Sequence, residues 1–487
     1  MSSAPCARWL KSAVVICAFM LALASAPPGT ADVNDAPTPP SPTAPCNAVT
    51  PFAFPCVGTG KFADAVAAEC RRVGVNDNLC QVPLASKVTQ AATVAYLQSW
   101  VHRTAQFQYA LGDPVPFKDA QWIGTHNSFN SLVSQFTPSH ADSNQQLSMP
   151  QQLDIDARSI ELDLHYIPQI DQLGNRAVTV CHGRGPDQAN LGCTTEPVLT
   201  KVLPAITDWL NTNPNEVVLI LIEDQLKDAK AYASALDTLE RQLRRPNGTS
   251  LIYHPAPADI TANGCADFPR TISRDDVRTA GAQVVLVGDC VPSWGTTVFN
   301  WDGQEVQSGS TFDYQPYPKC DATYGPAVYA ANIVRYYEDS TFISALINPS
   351  RPPTNPAALT PAKAQAMTNC GVNLFGFDQL LPEDGRIQGT LWSWAPNEPR
   401  AGIGNCALQG VDGRWTAEPC SASHHVVCMD TVTGAWTVTM ASVNFATAPS
   451  ACPPGSTFGL PRTGVQNSTV HAAAGPAGGA WVNYAIP

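Results

Sequence analysis

The stretch RSIELDLHY, residues 158–166, decides how the rest of the chain is read. Ile160, Leu162 and Leu164 alternate with Glu161 and Asp163. Successive side chains of a strand point to opposite faces, so the two acids share one face and the aliphatic residues the other. On an edge strand the acids would form a solvated face. Within a parallel barrel they would look into its interior or mouth, where two carboxylates need a cation or strong hydrogen bonds.

The surroundings favour the barrel. Between about 117 and 385, short apolar runs (QWIG, RSIELDL, AVTVC, EVVLILI, SLIY, QVVLV, FISALI and VNLFGF) alternate with segments such as KDAKAYASALDTLERQLR, whose composition and period suit a helix. Strands buried on both faces with helices between them indicate a parallel sheet. About eight of them predict an α/β fold, an irregular (β/α)8 TIM-like barrel with several short or loop-like connections. Functional groups of such a barrel sit where its strands end. Here the first run ends in Gly-Thr-His126-Asn127-Ser128, the third in Cys181-His182-Gly183 and the fourth in Ile222-Glu223-Asp224. Asn127, Glu161, Asp163 and Glu223 make an all-oxygen set of the kind that suits calcium or magnesium. His126 and His182 can supply a base and an acid.

The 487 residues predict two or three domains, and 44% hydrophobic against 14% charged residues fits substantial cores. A net charge of −12 argues against a nucleic-acid partner and gives no overall attraction to an anionic membrane. An anionic substrate must therefore be handled locally, a bound cation being one way. Residues 1–31 read as a signal peptide: Arg8 and Lys11 precede an apolar run, and cleavage is expected near Ala26 or Ala31. No later segment is long and apolar enough to span a membrane, so the mature chain is expected to be secreted. Of 16 cysteines, Cys6 and Cys17 fall in the signal, and the remaining 14 read as disulfides of an exported protein. Asn247 and Asn467 begin sequons. Residues 32–45 form a Pro-rich linker. Residues 46–116 form a lead-in with Cys46, Cys56, Cys70, Cys80 and one helix over 88–111. Residues 390–487, rich in Gly, Ala, Pro, Trp and Cys, predict a loop-rich, disulfide-supported module.

GTHNSFN, RSIELDLHY, VCHGR and VVLILIED, in that order, resemble the X-region of phosphatidylinositol-specific phospholipases C over about residues 117–385. The resemblance implies a calcium-dependent phosphodiesterase with His126 as general base and His182 as general acid. Asn127, Glu161, Asp163 and Glu223 would be its calcium ligands. The calcium-independent bacterial branch carries an arginine two residues after the strand aspartate, where this chain has His165, which favours the metal-dependent reading. His165 is either a phosphate contact or a residue behind the ligands. Asp378, in FGFDQL, matches the acid that supports the catalytic histidine, and Arg158 and Arg184 are candidate phosphate-binding cations. The implied substrate is a phospholipid or another phosphodiester at a membrane surface, cleaved through a cyclic phosphate. Glycerophosphodiesterases and venom-type phospholipases D share much of this pattern, although the former usually begin with His-Arg-Gly. A non-catalytic binding or adhesion protein on the same barrel also stands as an alternative.

Trp392 to Cys428 resembles the second half of a C-type lectin-like domain, and the residues after it resemble the first half, which implies a circular permutation. That likeness implies the pairs Cys406–Cys420 and Cys428–Cys452. Arg400 after Pro399, and Thr416-Ala417 after Trp415, replace the residues that hold calcium and sugar in such domains. A scaffolding role is therefore expected for this tail. Head-group preference and oligomeric state are open at this point.

Overall fold

The computed structural model describes residues 90–131, 143–145, 147–169, 174–193, 197–302, 305–310, 331–338, 361–378, 380–382, 385–475 and 479–487. The larger sheet contains β1 (Trp122–Thr125), β2 (Ser159–Pro168), β3 (Arg176–Val180), β4 (Val218–Gln225), β5 (Val284–Gly288), β6 (Phe299–Asn300), β7 (Glu305–Ser310), β8 (Ile333–Tyr337) and β9 (Leu374–Phe377). Its order is β6-β5-β4-β2-β1-β9-β8-β7, with every neighbouring pair on that path parallel. Only β3 departs, pairing antiparallel with β2. Among the described residues nothing pairs β6 with β7. The architecture is the expected TIM-like α/β fold.

Helices α1 (Gln90–Leu97) and α2 (Trp100–Gly112) precede the sheet. Helices α3 (Leu199–Thr212) and α4 (Ala229–Gln242) cover its outer face. Leu199, Leu203, Ile206 and Leu210 recur at helical spacing along α3, giving it one apolar stripe. The α4 helix starts at Asp228, whose side chain accepts from the backbone N–H groups of Lys230 and Ala231. These stripes bury Ile160, Leu162, Leu164, Ile220 and Ile222 from the sheet. Each such aliphatic side chain contributes about 1.5–3 kcal/mol on full burial.

A second apolar cluster fills the interior and contains Trp122, Leu219, Leu221, Val285, Ile333 and Leu374. The β2–β4 register pairs Ser159 with Leu219, Glu161 with Leu221 and Asp163 with Glu223. Paired residues of a parallel ladder share a face, so the acid face of β2 turns inward, above this apolar plug.

Two of the expected strands are not barrel strands, and a third cannot be compared. AVTVC forms β3, the returning arm of a hairpin on β2. SLIY makes only single bridges, Arg244 with Ser250 and Ile252 with Val284. FISALI lies outside the described residues. The sheet is completed by β6, β7 and β8, which the apolar-run criterion missed. The first has two residues, the second is polar in sequence (EVQSGS), and the third carries an arginine inside IVRYY.

The expected lead-in helix is broken at Gln98-Ser99, because Ser99 caps α2 by accepting from His102 N–H. Cys46, Cys56, Cys70 and Cys80, the signal and the linker lie outside the described residues. Gln108 of α2 ties the tail to the barrel: its Oε1 accepts from the N–H groups of Trp392 at 2.6 Å and Ser393 at 3.0 Å. Its Nε2 donates to Gln121 Oε1 at 3.1 Å, immediately before β1. The tail therefore packs at the N-terminal ends of the strands, away from the mouth.

The smaller sheet comprises β10 (Cys406–Gln409), β11 (Trp415–Glu418), β12 (His425–Asp430), β13 (Trp436–Val438), β14 (Ser456–Phe458) and β15 (Ala480–Ala485). Its order is β11-β10-β15-β12-β13, with β14 added on β12. Disulfides join Cys406 to Cys420 and Cys428 to Cys452, the two pairs expected for the tail. Cys181–Cys193 and Cys265–Cys290 join segments of the barrel. Glu398 is engaged internally, accepting from Ala417 N–H at 3.1 Å and from Arg400 Nε at 2.6 Å. Asn467 is buried, and its amide donates to the carbonyls of Trp392 and Gly413, so this sequon is a core element. No helix among the described residues is long and apolar enough to cross a membrane.

Candidate active site

The site begins where β1 runs out. A Cβ at Gly124 would lie 2.7 Å from both Cβ and O of Ser159, so only glycine lets β1 approach β2 this closely. Beyond it the chain turns through Asn127 at φ 45°, a left-handed conformation that asparagine tolerates. Ser128 fastens the turn to β2, its Oγ accepting from Glu161 N–H at 2.8 Å. On the other side Gln145 donates to the carbonyls of His126 at 2.7 Å and Phe377 at 2.8 Å.

This turn places His126 and Asn127 above the inward acids of β2. His126 Nδ1 lies 3.2 Å from Asp378 Oδ1, and its Nε2 lies 3.8 Å from Glu161 Oε2. Asn127 N–H donates to Glu161 Oε2 at 3.0 Å. The Asn127 carboxamide faces the two Asp163 oxygens at 3.0 and 3.3 Å. With nitrogen in that place the contact is a hydrogen bond; with oxygen in it, the two side chains stand as neighbouring ligands of one cation. In the second orientation the amide nitrogen donates toward His126 Nε2 at 3.3 Å.

Electrostatics separate the acids. Burial would raise Glu161, but Arg335, His126 and the Asn127 N–H together bring its pKa below the ordinary value. Arg335 Nη2 donates to Glu161 Oε1 at 3.0 Å, and its guanidinium lies 4.6 Å from the Tyr337 ring centroid. Asp163, only 2% exposed, is raised well above the ordinary value by burial and by repulsion from Glu223 and Glu161. Glu223, at the exposed end of β4, is raised by the desolvation it retains there and by Glu161, while Gln225 donates to it at 2.8 Å.

The chemistry of this donor set fits a hard divalent cation in one orientation: with the Asn127 oxygen turned to Asp163 every donor is oxygen, and Asp163 and Glu223 are each raised by a neighbouring acid. The set is not drawn tight. Among the described residues, the His/Cys/Asp/Glu trio with ligand atoms within 4.8 Å of one another is His165, Cys181 and Cys193, whose sulfurs are already joined.

His182 follows β3 on the opposite flank. Burial, followed by the nearby His126, pushes its pKa down to about 4. His165 is fully buried on the acid face of β2, with Nδ1 3.0 Å from Asn190 Oδ1. It packs beside the Cys181–Cys193 disulfide and supports the loop that carries His182. Arg184 lies exposed on that loop. Asp378 is wholly buried, its N–H donating to Glu338 at 2.8 Å and its carbonyl accepting from Arg386 at 2.8 Å.

The expected substrate cation Arg158 is elsewhere. It precedes β2, at the N-terminal end of the sheet. There it donates to Glu216 at 2.7 Å and to the carbonyls of Leu153 and Ala157, under the ring of Trp209. That correction follows from strand direction alone. The inward cation at the site is Arg335, which sequence reasoning missed. Asn130 and Asn144 were also missed. Asn130 Nδ2 lies 3.3 Å from His182 Nδ1 and donates to Asn144 Oδ1 at 2.8 Å; Asn144 Nδ2 donates to Asp378 Oδ1 at 3.3 Å.

Residues 81–384 match the family model described as the Rv2075c PI-PLC-like domain. The chain is similar to the uncharacterized protein Rv2075c of Mycobacterium tuberculosis strain H37Rv, at 62% identity over 486 residues. The match covers 99% of this chain and 100% of the relative. The same figures hold for the uncharacterized protein MT2135 of strain CDC 1551. Among solved structures, it is similar to the phosphatidylinositol-specific phospholipase C from Listeria monocytogenes at 16% identity and a TM-score of 0.36. That match covers 59% of this chain and 97% of the other.

Proposed function

Because this chain belongs to the Rv2075c PI-PLC-like domain family, we propose that it is a secreted, calcium-dependent phospholipase C-like phosphodiesterase acting on phosphatidylinositol-type phosphodiesters. One observation carries the reading: His126, Asn127, Glu161, Asp163, Glu223 and Asp378 come together from four separate strands, β1, β2, β4 and β9, with His182 on the adjoining loop. Disulfides in the described residues agree with export.

A divalent cation held by Asn127, Glu161, Asp163 and Glu223 would supply positive charge against the phosphate and lower the pKa of the neighbouring sugar hydroxyl. His126 directs Nδ1 to Asp378 and keeps Nε2 for the proton of the inositol 2-hydroxyl. That oxygen attacks phosphorus as the bond from phosphorus to the glycerol oxygen breaks. His182 protonates the departing diacylglycerol oxygen. Burial keeps His182 neutral in the free protein, and the arriving anionic phosphate favours its imidazolium form. The product is a cyclic inositol phosphate, which water can open with the histidines in reversed roles. Arg335, already against Glu161, adds a fixed positive charge beneath the phosphate. The C-terminal unit, docked at the far end of the barrel, acts as a scaffold.

The test is release of water-soluble inositol phosphate from phosphatidylinositol vesicles, with calcium and with chelator. Turnover should need calcium and fall at least about 100-fold in His126→Ala. Turnover indifferent to both changes would overturn this mechanism, and no turnover of any phosphodiester would favour a binding protein.

A further inference from the structure

The two candidate catalytic histidines are joined by side chains, and the join has a direction. Asp378 Oδ1 lies 3.2 Å from His126 Nδ1 and accepts from Asn144 Nδ2 at 3.3 Å. Asn144 Oδ1 accepts from Asn130 Nδ2 at 2.8 Å, and the same Asn130 nitrogen lies 3.3 Å from His182 Nδ1. Asn130 is 3% exposed, and Asn144 and Asp378 are fully buried.

A carboxylate oxygen only accepts hydrogen bonds. Asp378 therefore fixes Asn144 with its nitrogen inward, which leaves the Asn144 oxygen facing Asn130. That oxygen requires the Asn130 nitrogen, whose second N–H then points at His182 Nδ1. Turning either amide over would set oxygen against oxygen inside a buried network, where an unmade hydrogen bond is costly. His182 Nδ1 must accept, so the neutral ring carries its proton on Nε2. At the other end His126 Nδ1 must donate, so its Nε2 keeps the lone pair.

We propose that Asp378 sets the tautomers of both histidines, His126 directly and His182 through a relay of Asn144 and Asn130. The single carboxylate thereby leaves the His126 Nε2 lone pair open to accept a proton and holds the one proton of neutral His182 on Nε2; forming the imidazolium on substrate binding adds a proton at Nδ1 and displaces the Asn130 N–H from it. Asn130 and Asn144 are positioning residues. The division into base and acid rests on the function proposed above; the tautomers do not.

The test uses the full chain labelled with 15N-histidine, in long-range proton–nitrogen correlation spectra at pH 7, with His182 assigned by its loss in His182→Gln. The wild type should show His182 protonated at Nε2 only and His126 at Nδ1 only. Asn144→Leu should turn His182 into a tautomer mixture, leave His126 as it was, and lower kcat about tenfold with KM changed less than about twofold. His182 protonated at Nδ1 in the wild type, or an unchanged His182 spectrum in folded Asn144→Leu, overturns the relay. If the variant does not fold, the wild-type spectra decide. The stated tautomers without turnover of any phosphodiester would leave the relay standing and remove the proposed function.

Discussion

Replacing Asp163 with asparagine should stabilise the calcium-free protein while abolishing turnover. Asp163 is buried, stands in register with Glu223, and lies two residues along the same face from Glu161. Two unit charges about 6 Å apart at an effective dielectric of about 20 repel by roughly 3 kcal/mol. Arg335 offsets part of this, so a net gain of about 1–2 kcal/mol is expected for the variant. The sign depends on pH. Because the folded pKa is raised above the ordinary 3.8, the penalty is absent below that value and sets in as pH rises through the folded pKa. Thermal melts in chelator should put the variant's midpoint roughly 1–3 °C above wild type at neutral pH, with the difference vanishing near pH 3.5. Calcium at about 100 times its Kd should raise wild-type stability by about 2.7 kcal/mol and the variant's by much less. A variant less stable than wild type at pH 7 in chelator would refute this reasoning. Asp163 would then be a net stabilising hydrogen-bonded group, not one member of a repelling set.

Three further outcomes follow from the same geometry. The His182 pKa, lowered from 6.5 to about 4 by burial, means that stability present above pH 6.5 is lost as pH falls toward 4. The loss should reach up to about 3 kcal/mol, and pH-dependent melts of His182→Asn should show that slope flattened; an unaltered slope would assign it to other groups. Arg335→Met leaves Glu161 buried without its guanidinium partner and should cost about 3–5 kcal/mol in chelator, less with calcium present. A loss below about 1 kcal/mol would mean that the ion pair contributes little. Gly124→Ala drives a methyl group to within 2.7 Å of Ser159 and 2.9 Å of the Phe375 carbonyl. It should lower stability by about 1–3 kcal/mol and reduce turnover through displacement of His126, and a wild-type melting curve would contradict the close strand approach.

Much of the site was legible because its signals are local. Period-two alternation put Glu161 and Asp163 on one inward face, and the rule that functional groups sit at strand ends found His126, Asn127 and Glu223; His182 was reached through a run that proves to be a hairpin arm, and Asp378 through the family resemblance. Strand direction also held the information that excludes Arg158, since that residue precedes its strand. Arg335 was not legible, because its inward position depends on the register of β8 against β9, which pairs Arg335 with Leu374 and Tyr337 with Gly376. The barrel was recognised although three of the expected strands are not among its described members. AVTVC is as apolar as a barrel strand but returns antiparallel, whereas β6 and β7 are too short or too polar to register as apolar runs. Asn130 and Asn144 carry no periodic signal, and their meaning arises only when four segments meet.

The most direct measurement of the central claim is time-resolved phosphorus NMR of the products formed from phosphatidylinositol vesicles in calcium. The two-histidine account predicts a five-membered cyclic phosphodiester as the first new resonance, converted later to a monoester, with neither formed by His126→Ala. A monoester appearing without the cyclic species, or phosphatidic acid as the first product, would contradict it.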